Sequence, residues 1–300
     1  MFLSGVHTKY LGFPAGGALE FARSIEQRYL ALGGTIQYRS KVAAILTETN
    51  ENGTRVVGVR MEDGSEARAD MVISNADGRT TIYGMLAGKY IDERIDKFYN
   101  NPPEKQVMAL NVFLGVKRDF SAEPHGLVLC LPQPIEIGGQ MLDRLHIENY
   151  AFAPEMAPDG FTTLKVTMPG SYCYWKALKE QGDAYAQEKQ RVAQTVISAL
   201  DQRFSGLAQQ IEVTDIATPL TTERFVGSWQ GYQVWGFPDQ GITDALSGKG
   251  LSRELPGLEN FYMVGQWAGG LGLPNVAAMG RKTVELICKR DKRKFQTAVA

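Results

Sequence analysis

A glycine-rich turn near the carboxyl end constrains this chain more than any other stretch. It reads GQWAGGLGLPNVAAMGR over residues 265–281. Four glycines, at 265, 269, 270 and 272, lie in its first eight residues. A strand-like run at 261–264 precedes the turn, and a predicted helix at 276–288 follows it. Glycine lets other groups approach the backbone closely, and the first N–H groups of a helix have no intrahelical partner. The pattern predicts either a tight strand-to-helix connection or a site where a bulky ligand touches the main chain.

The spacing of these glycines is not GxGxxG, so the turn is not the dinucleotide fingerprint of a first βα unit. Pro274 stands where the first helical turn would begin, a position for which proline is preformed. A second glycine pair, Gly16 and Gly17, precedes another predicted helix. Apolar residues there recur with helical spacing, at 18, 21, 22, 25, 29 and 32. Glycine alone at these places is also typical of ordinary helix boundaries.

The clearest local unit is TRVVGVRMEDGSEARADMVISNA, residues 54–76. Two strand-like runs flank Asp63 and Gly64, which is a strong hairpin signal. The second run ends in MVISNA, apolar and then abruptly polar. This change is typical of a buried strand whose carboxyl end meets a ligand cleft.

The pattern changes between residues 105 and 168, where long strand candidates are separated by proline and glycine. These residues predict a largely antiparallel sheet. The chain is therefore predicted to have an α/β fold of two domains. Residues 1–100 and 208–290 form one domain, residues 101–207 form a β-rich second domain, and residues 291–300 form a flexible tail.

Aromatic side chains are concentrated in TTERFVGSWQGYQVWGFP, residues 221–238. Interleaved glycine and glutamine interrupt any helix or strand period, which makes an ordinary core less satisfactory as an explanation. A flat or long apolar ligand would suit these rings. The candidate contacts are Trp229, Tyr232, Trp235 and Phe237.

Charge and composition exclude several functions. The formal net charge is −1, so no basic field favours nucleic acid. The three cysteines and three histidines are scattered, and neither a metal site nor a disulfide framework is predicted. No apolar run approaches the roughly 18 residues of a membrane span, and no signal peptide is visible. We expect a cytoplasmic protein whose basic tail allows peripheral membrane contact. No side chain is assigned as a catalytic acid or base.

Five stretches carry a family resemblance, in the same order as in the family. They are GFPAGGALEFARSIEQRYLALGGTI, SKVAAILTE, GVRMEDGSEARADMVISNAD, ATPLTTERFV and LENFYMVGQWAGGLGLPNVAAMGRKTVELI. In combination they resemble the carboxyl-terminal two-thirds of a phytoene desaturase-type flavoprotein of the amine-oxidase-like superfamily. The chain departs from the family at Asn275, where a small residue is usual, and has AGGLG where the family tends to show PGGG. Both changes affect the expected substrate shape.

The resemblance implies an FAD-dependent oxidoreductase that transfers a hydride between a carbon–carbon bond of a long apolar, isoprenoid-like substrate and flavin N5. Val42 would offer backbone contacts on the adenine side. Gly265 and Gln266 would lie by the ribityl chain or pyrophosphate. The segment that would bring backbone N–H groups toward flavin N1 and the C2 carbonyl consists of Gly272, Leu273, Pro274, Asn275 and Val276. A helix amino terminus there would stabilise negative charge on the reduced flavin.

The family's opening GxGxxG segment, which holds the FAD pyrophosphate, is not found in this sequence. The predicted FAD-binding domain is therefore incomplete in this chain alone. Three explanations stay open: one half of a split enzyme, a fragment, or a non-catalytic subunit that kept the scaffold to bind an apolar ligand or assemble with a partner. A sheet without its central parallel strands exposes apolar edges. We therefore expect either a partner chain that carries the GxGxxG half or self-association.

Overall fold

The computed structural model describes residues 12–51, 53–100, 108–232, 251–265 and 273–297, except for the side chains of 273–275. Strands are numbered in chain order: β1 (Val42–Asn50), β2 (Gly53–Met61), β3 (Glu66–Arg68), β4 (Val72–Ser74), β5 (Ala109–Val116), β6 (Gly126–Ile137), β7 (Gln140–Asn149), β8 (Thr162–Pro169), β9 (Ile211–Ala217), β10 (Leu258–Glu259) and β11 (Phe261–Met263). The α-helices are α1 (Gly17–Ala31), α2 (Glu93–Asn100), α3 (Tyr172–Lys179), α4 (Ala184–Arg203), α5 (Pro219–Val226) and α6 (Leu273–Arg290). The mixture of helices and strands confirms the predicted α/β class.

The chain divides into two compact units. The first unit is Met1–Tyr38 with Ala109–Thr218, and the second is Arg39–Met108 with Pro219–Ala300. These bounds differ from the predicted domains, because residues before 39 and residues 208–218 group with the first unit. β9 belongs there because it pairs along most of β5.

The first unit is built on a five-stranded sheet in the order β6-β7-β8-β5-β9, and every neighbouring pair is antiparallel. Alternate residues of β5 and β8 are buried, as expected for strands with one face on a core. Helix α4 buries residues spaced three and four apart, namely Val192, Ala193, Val196, Ala199 and Leu200. The predicted largely antiparallel sheet is confirmed.

Helix α1 of the first unit exposes its apolar side chains. It forms over the predicted stripe, yet only Gly17 is buried. Leu19 is 61 % exposed, Ile25 57 % and Tyr29 50 %. Isolated helices of about 12–15 residues are marginal in water, and most of their stability comes from packing. The apolar face of α1 is therefore a surface on which another element could pack.

The second unit contains both antiparallel and parallel pairs. β1, β2 and β3 pair antiparallel in succession, and the turn between β2 and β3 contains Asp63 and Gly64, which confirms the predicted hairpin. The Asp63 carboxylate accepts hydrogen bonds from the backbone N–H and the hydroxyl of Ser65 at 2.9 and 2.6 Å. β10 lies parallel to β2, and β11 lies parallel to β4. None of the described helices is long and apolar enough to cross a bilayer.

Candidate cofactor site at the ends of two parallel strands

The β4–β11 pair brings two distant parts of the sequence together at the carboxyl ends of the two strands. Met263 pairs with Ser74, and the Val264 N–H donates to the Ser74 carbonyl at 2.9 Å. Because the strands are parallel, Asn75 and Gly265 lie just beyond them at the same end of the sheet. Carboxyl ends of parallel strands are where open α/β sheets bind ligands. The polar end of MVISNA and the start of the glycine-rich turn therefore lie side by side.

Gly265 is buried and has a backbone φ of +85°, a region that L side chains rarely adopt. A Cβ added there would lie 2.2 Å from Oδ1 of Asn75. Glycine is therefore required by both conformation and contact. The main chain at residue 265 and the Asn75 side chain therefore pack directly against each other at the strand ends.

Helix α6 is anchored at its carboxyl end. Nη1 of Arg290 donates to Asn260 Oδ1 and to the Tyr262 hydroxyl, both at 2.8 Å. These partners lie at the start of β11, so the carboxyl end of α6 packs at the amino end of that strand. The first N–H groups at the amino end of α6, at the opposite end of the helix, have no intrahelical acceptor and carry a partial positive charge. That arrangement suits a negatively charged or electron-rich ligand edge.

The structure describes only part of the predicted site. Val42 is the first residue of β1 and pairs with Met61. Val276 is half-buried in the first turn of α6, where Leu273, Pro274 and Asn275 also lie. Four predicted residues fall outside the described ranges: Gln266, Gly272, Trp235 and Phe237. The described residues contain no group of three His, Cys, Asp or Glu side chains placed to hold a metal ion.

Trp229 and Tyr232 belong to a stack of rings in the second unit. Their rings are 5.6 Å apart and 4° from parallel. The Arg79 guanidinium lies 4.3 Å from the Trp229 ring centre and 4.8 Å from that of Tyr83. Such contacts contribute roughly 0.5–2 kcal/mol each, depending on burial. Tyr232 is 1 % exposed, so its ring could meet a ligand only within a buried site, whereas Trp229 is half-buried.

Asp77 is a candidate site residue that sequence analysis missed. It follows β4 by three residues and is only 3 % exposed. Its Oδ1 accepts a hydrogen bond from the Thr80 backbone N–H at 2.7 Å. Burial raises the pKa of the Asp77 carboxyl, while the backbone N–H groups of Thr80 and Trp229 act in the opposite direction. The residue therefore links the strand end to the aromatic stack, and a polar residue just after an apolar strand was the only sequence signal for it.

The raised pKa of Asp77 predicts a pH-dependent stability. Above the ordinary aspartate pKa of about 4, the unfolded chain has released a proton that the folded chain still holds. Stability then falls as the pH rises through this window. The melting temperature of Asp77→Asn minus that of the wild type is therefore expected to rise between about pH 4 and pH 7. Thermal unfolding measured over this range checks the sign.

Asp63→Asn is the matched control for this experiment. Hydrogen bonds from Ser65 lower the pKa of Asp63, so its contribution changes below the ordinary value and not above it. The difference between this variant and the wild type should stay flat over the same window. A flat difference for Asp77→Asn as well would contradict the effect assigned to its burial.

Comparisons with known proteins show what this chain is similar to. The family model described as flavin containing amine oxidoreductase matches residues 5–188, which is more than half of the chain. Prolycopene isomerase of Arabidopsis thaliana is 27 % identical over 277 residues, covering 88 % of this chain and 43 % of that protein. A lycopene-forming phytoene desaturase of a Paracoccus species is 25 % identical over 288 residues, covering 92 % of this chain and 54 % of that protein.

The fold is also found among solved structures. A crystal structure of an oxidoreductase from Methanosarcina mazei aligns with a TM-score of 0.54 and 19 % identity, over 91 % of this chain and 55 % of that one. These matches confirm the predicted resemblance to phytoene desaturase-type proteins. The chain spans about half the length of the relatives that it matches.

Proposed function

This chain belongs to the flavin containing amine oxidoreductase family, and from that premise we propose that it supplies part of the FAD site of an oxidoreductase acting on a long apolar, isoprenoid-like substrate. The observation that carries the proposal is the close approach of Gly265 to Asn75 at the ends of β4 and β11. A side chain at residue 265 would displace Asn75, so the main chain there must stay without a side chain of its own. The residues present therefore fit a cofactor that is held by backbone contacts.

The bound cofactor would be held by groups from three segments. Gly265, with Gln266, would lie beside the ribityl chain or pyrophosphate, and Val42 would face the adenine side. The first turn of α6, with Gly272 before it, would direct N–H groups toward the pyrimidine edge of the flavin. FAD, when bound, supplies a hydride acceptor or donor at N5. The part of this chain is to place the flavin and to stabilise negative charge on it through the amino end of α6.

The substrate class is proposed from the relatives. Two of them are named for prolycopene and phytoene, and aromatic surfaces suit long apolar chains. Trp229 and Tyr232, with Trp235 and Phe237, are the proposed substrate contacts. The reaction class is hydride transfer at a carbon–carbon bond, which includes desaturation, saturation and flavin-assisted isomerisation.

Full activity would also require the part of the relatives that this chain does not match, including a GxGxxG segment. That segment could be continuous with this sequence or belong to a partner chain. The exposed apolar face of α1 supports such packing, since Leu19, Ile25 and Tyr29 are half exposed or more. The same surface also favours the alternative, a non-catalytic subunit that binds an apolar ligand or assembles with a partner and uses no FAD.

Visible absorbance distinguishes the two functions. The 300-residue chain would be purified alone and together with the GxGxxG segment of a matched relative, and each sample would be incubated with FAD and desalted. Retained flavin absorbance in the mixture, with little in the chain alone, is the expected result. An absence of flavin from both samples, together with binding of an apolar ligand, would support the non-catalytic alternative instead.

A further inference from the structure

An open aromatic cleft lies in the first unit, at the start of helix α1. Its volume is about 700 Å³, within the range of small-molecule sites. Its walls include Phe13, Pro14, His125, Phe152, Ala153 and Glu155. None of these residues is among those assigned above to cofactor or substrate.

Four rings meet at this cleft. Phe13 lies edge-on to Phe152, with ring centres 5.3 Å apart, and His125 lies edge-on to Phe152 at 4.2 Å. Tyr150 stacks on Phe152 at 5.9 Å with an angle of 29°. Phe13 is 43 % exposed and Phe152 is 47 % exposed. Clustered aromatic surface that stays open to solvent is characteristic of a binding site.

The rings are held in place by hydrogen bonds behind them. Nδ1 of His125 is 2.8 Å from the Asn149 carbonyl oxygen, and the buried Asn149 side chain donates to the Phe120 carbonyl at 2.9 Å. The Tyr150 hydroxyl donates to Glu148, at 2.6 Å. A wall fixed in this way loses little conformational entropy when a ligand binds.

The charge at the rim selects among apolar ligands. The Glu155 carboxylate accepts a hydrogen bond from the Gly16 N–H at 2.9 Å, which keeps a negative charge beside the cleft. The described lining contains no lysine or arginine to balance it. An anionic head group would be repelled here, whereas a neutral chain would not.

We propose that this cleft binds a neutral, flat, conjugated polyene chain. The proposal takes the long apolar, isoprenoid-like class from the proposed function and adds a flat, conjugated chain as the match to the aromatic rings, but the binding itself needs no flavin. The cleft would then hold part of a long apolar molecule through aromatic contacts, and the exposed Glu155 carboxylate would weaken the binding of fatty-acid-like ligands.

All-trans-retinol, a neutral fluorescent polyene, is the probe. Titration of the flavin-free 300-residue chain should show saturable binding, and Phe152→Ala should weaken it by roughly tenfold, the loss of one aromatic contact. Val213→Ala is the matched control, because Val213 is 63 % exposed on β9 of the same unit. Circular dichroism verifies that each variant is folded, and Phe13→Ala provides a second test of the ring cluster.

Retinoate, which carries a carboxylate in place of the retinol hydroxyl group, tests the effect of the Glu155 charge. It should bind more weakly than retinol, and Glu155→Gln should narrow that difference. Equal retinol affinity for Phe152→Ala and Val213→Ala, or no binding by the wild type, would overturn the proposal. Because no flavin is present, retinol binding at the cleft can succeed where FAD retention fails, and the reverse, so the two proposals fail separately.

Discussion

FAD affinity is expected to fall roughly 100-fold when Gly265 is replaced by alanine in the chain assembled with the GxGxxG segment of a matched relative. The added Cβ would lie 2.2 Å from Oδ1 of Asn75, so the Asn75 side chain or the main chain must move. Either movement disturbs backbone contacts with the cofactor. Loss of one or two buried hydrogen bonds, at about 1–3 kcal/mol, corresponds to an effect of this size. Flavin fluorescence quenching during titration measures it.

Gly257→Ala is the control for this variant. Gly257 also has a positive φ, of +72°, but a Cβ there meets nothing within 4 Å. Both variants therefore carry the conformational cost, and only Gly265→Ala carries the contact. Equal FAD affinity of the two variants would show that the contact at Gly265 does not serve the cofactor.

A double variant tests the cause further. Asn75→Ala removes the atom that the new Cβ would meet. If Gly265 is needed only to accommodate Asn75, the double variant should bind FAD as well as Asn75→Ala alone. If the cofactor itself requires bare main chain at residue 265, as we propose, the defect should persist in the double variant.

The second large effect is expected on stability, from Gly231→Ala. Gly231 has a φ of +68°, and a Cβ there would lie 2.2 Å from the carbonyl oxygen of Pro219, the first residue of α5. A main-chain atom at a helix start cannot move as a side-chain tip can. We expect a loss of about 3 kcal/mol or more in the free energy of unfolding, since overpacking adds to the left-handed strain. Denaturant unfolding measures this loss.

Gly227→Ala is its matched control, four residues earlier in the same connection. Its φ is +72° and no atom lies within 4 Å of the added Cβ. Only the backbone strain of about 1–2 kcal/mol is expected there. Equal destabilisation by the two substitutions would contradict the packing described around Trp229 and Tyr232.

Local patterns in the sequence predicted most of the elements. The hairpin at Asp63 and Gly64 follows from turn chemistry, and α6 follows from apolar periodicity after the glycine-rich turn. The predicted helix 276–288 lies inside the observed α6, which begins three residues earlier. The pairing of β4 with β11 was not predicted, because the two strands are far apart in sequence.

Other features depend on contacts that local patterns do not encode. Periodicity predicted α1 but could not indicate that its apolar face is exposed. The burial of Asp77 was not predicted, because aspartate is mostly found at protein surfaces and nothing local marks the exception. The aromatic cleft was also missed, because Phe13 and Phe152 are far apart in the sequence and come together only in the fold.

Hydrogen–deuterium exchange upon FAD addition tests the central claim most directly, using the chain assembled with the GxGxxG segment of a matched relative. The first N–H groups of α6 have no intrahelical acceptor and should exchange readily without cofactor. We predict that FAD slows exchange in peptides spanning residues 264–276, while the carboxyl-terminal turn of α6 at Arg290 is unaffected. Protection confined to the first unit, with unchanged exchange over residues 264–276, would contradict a flavin site at the ends of β4 and β11.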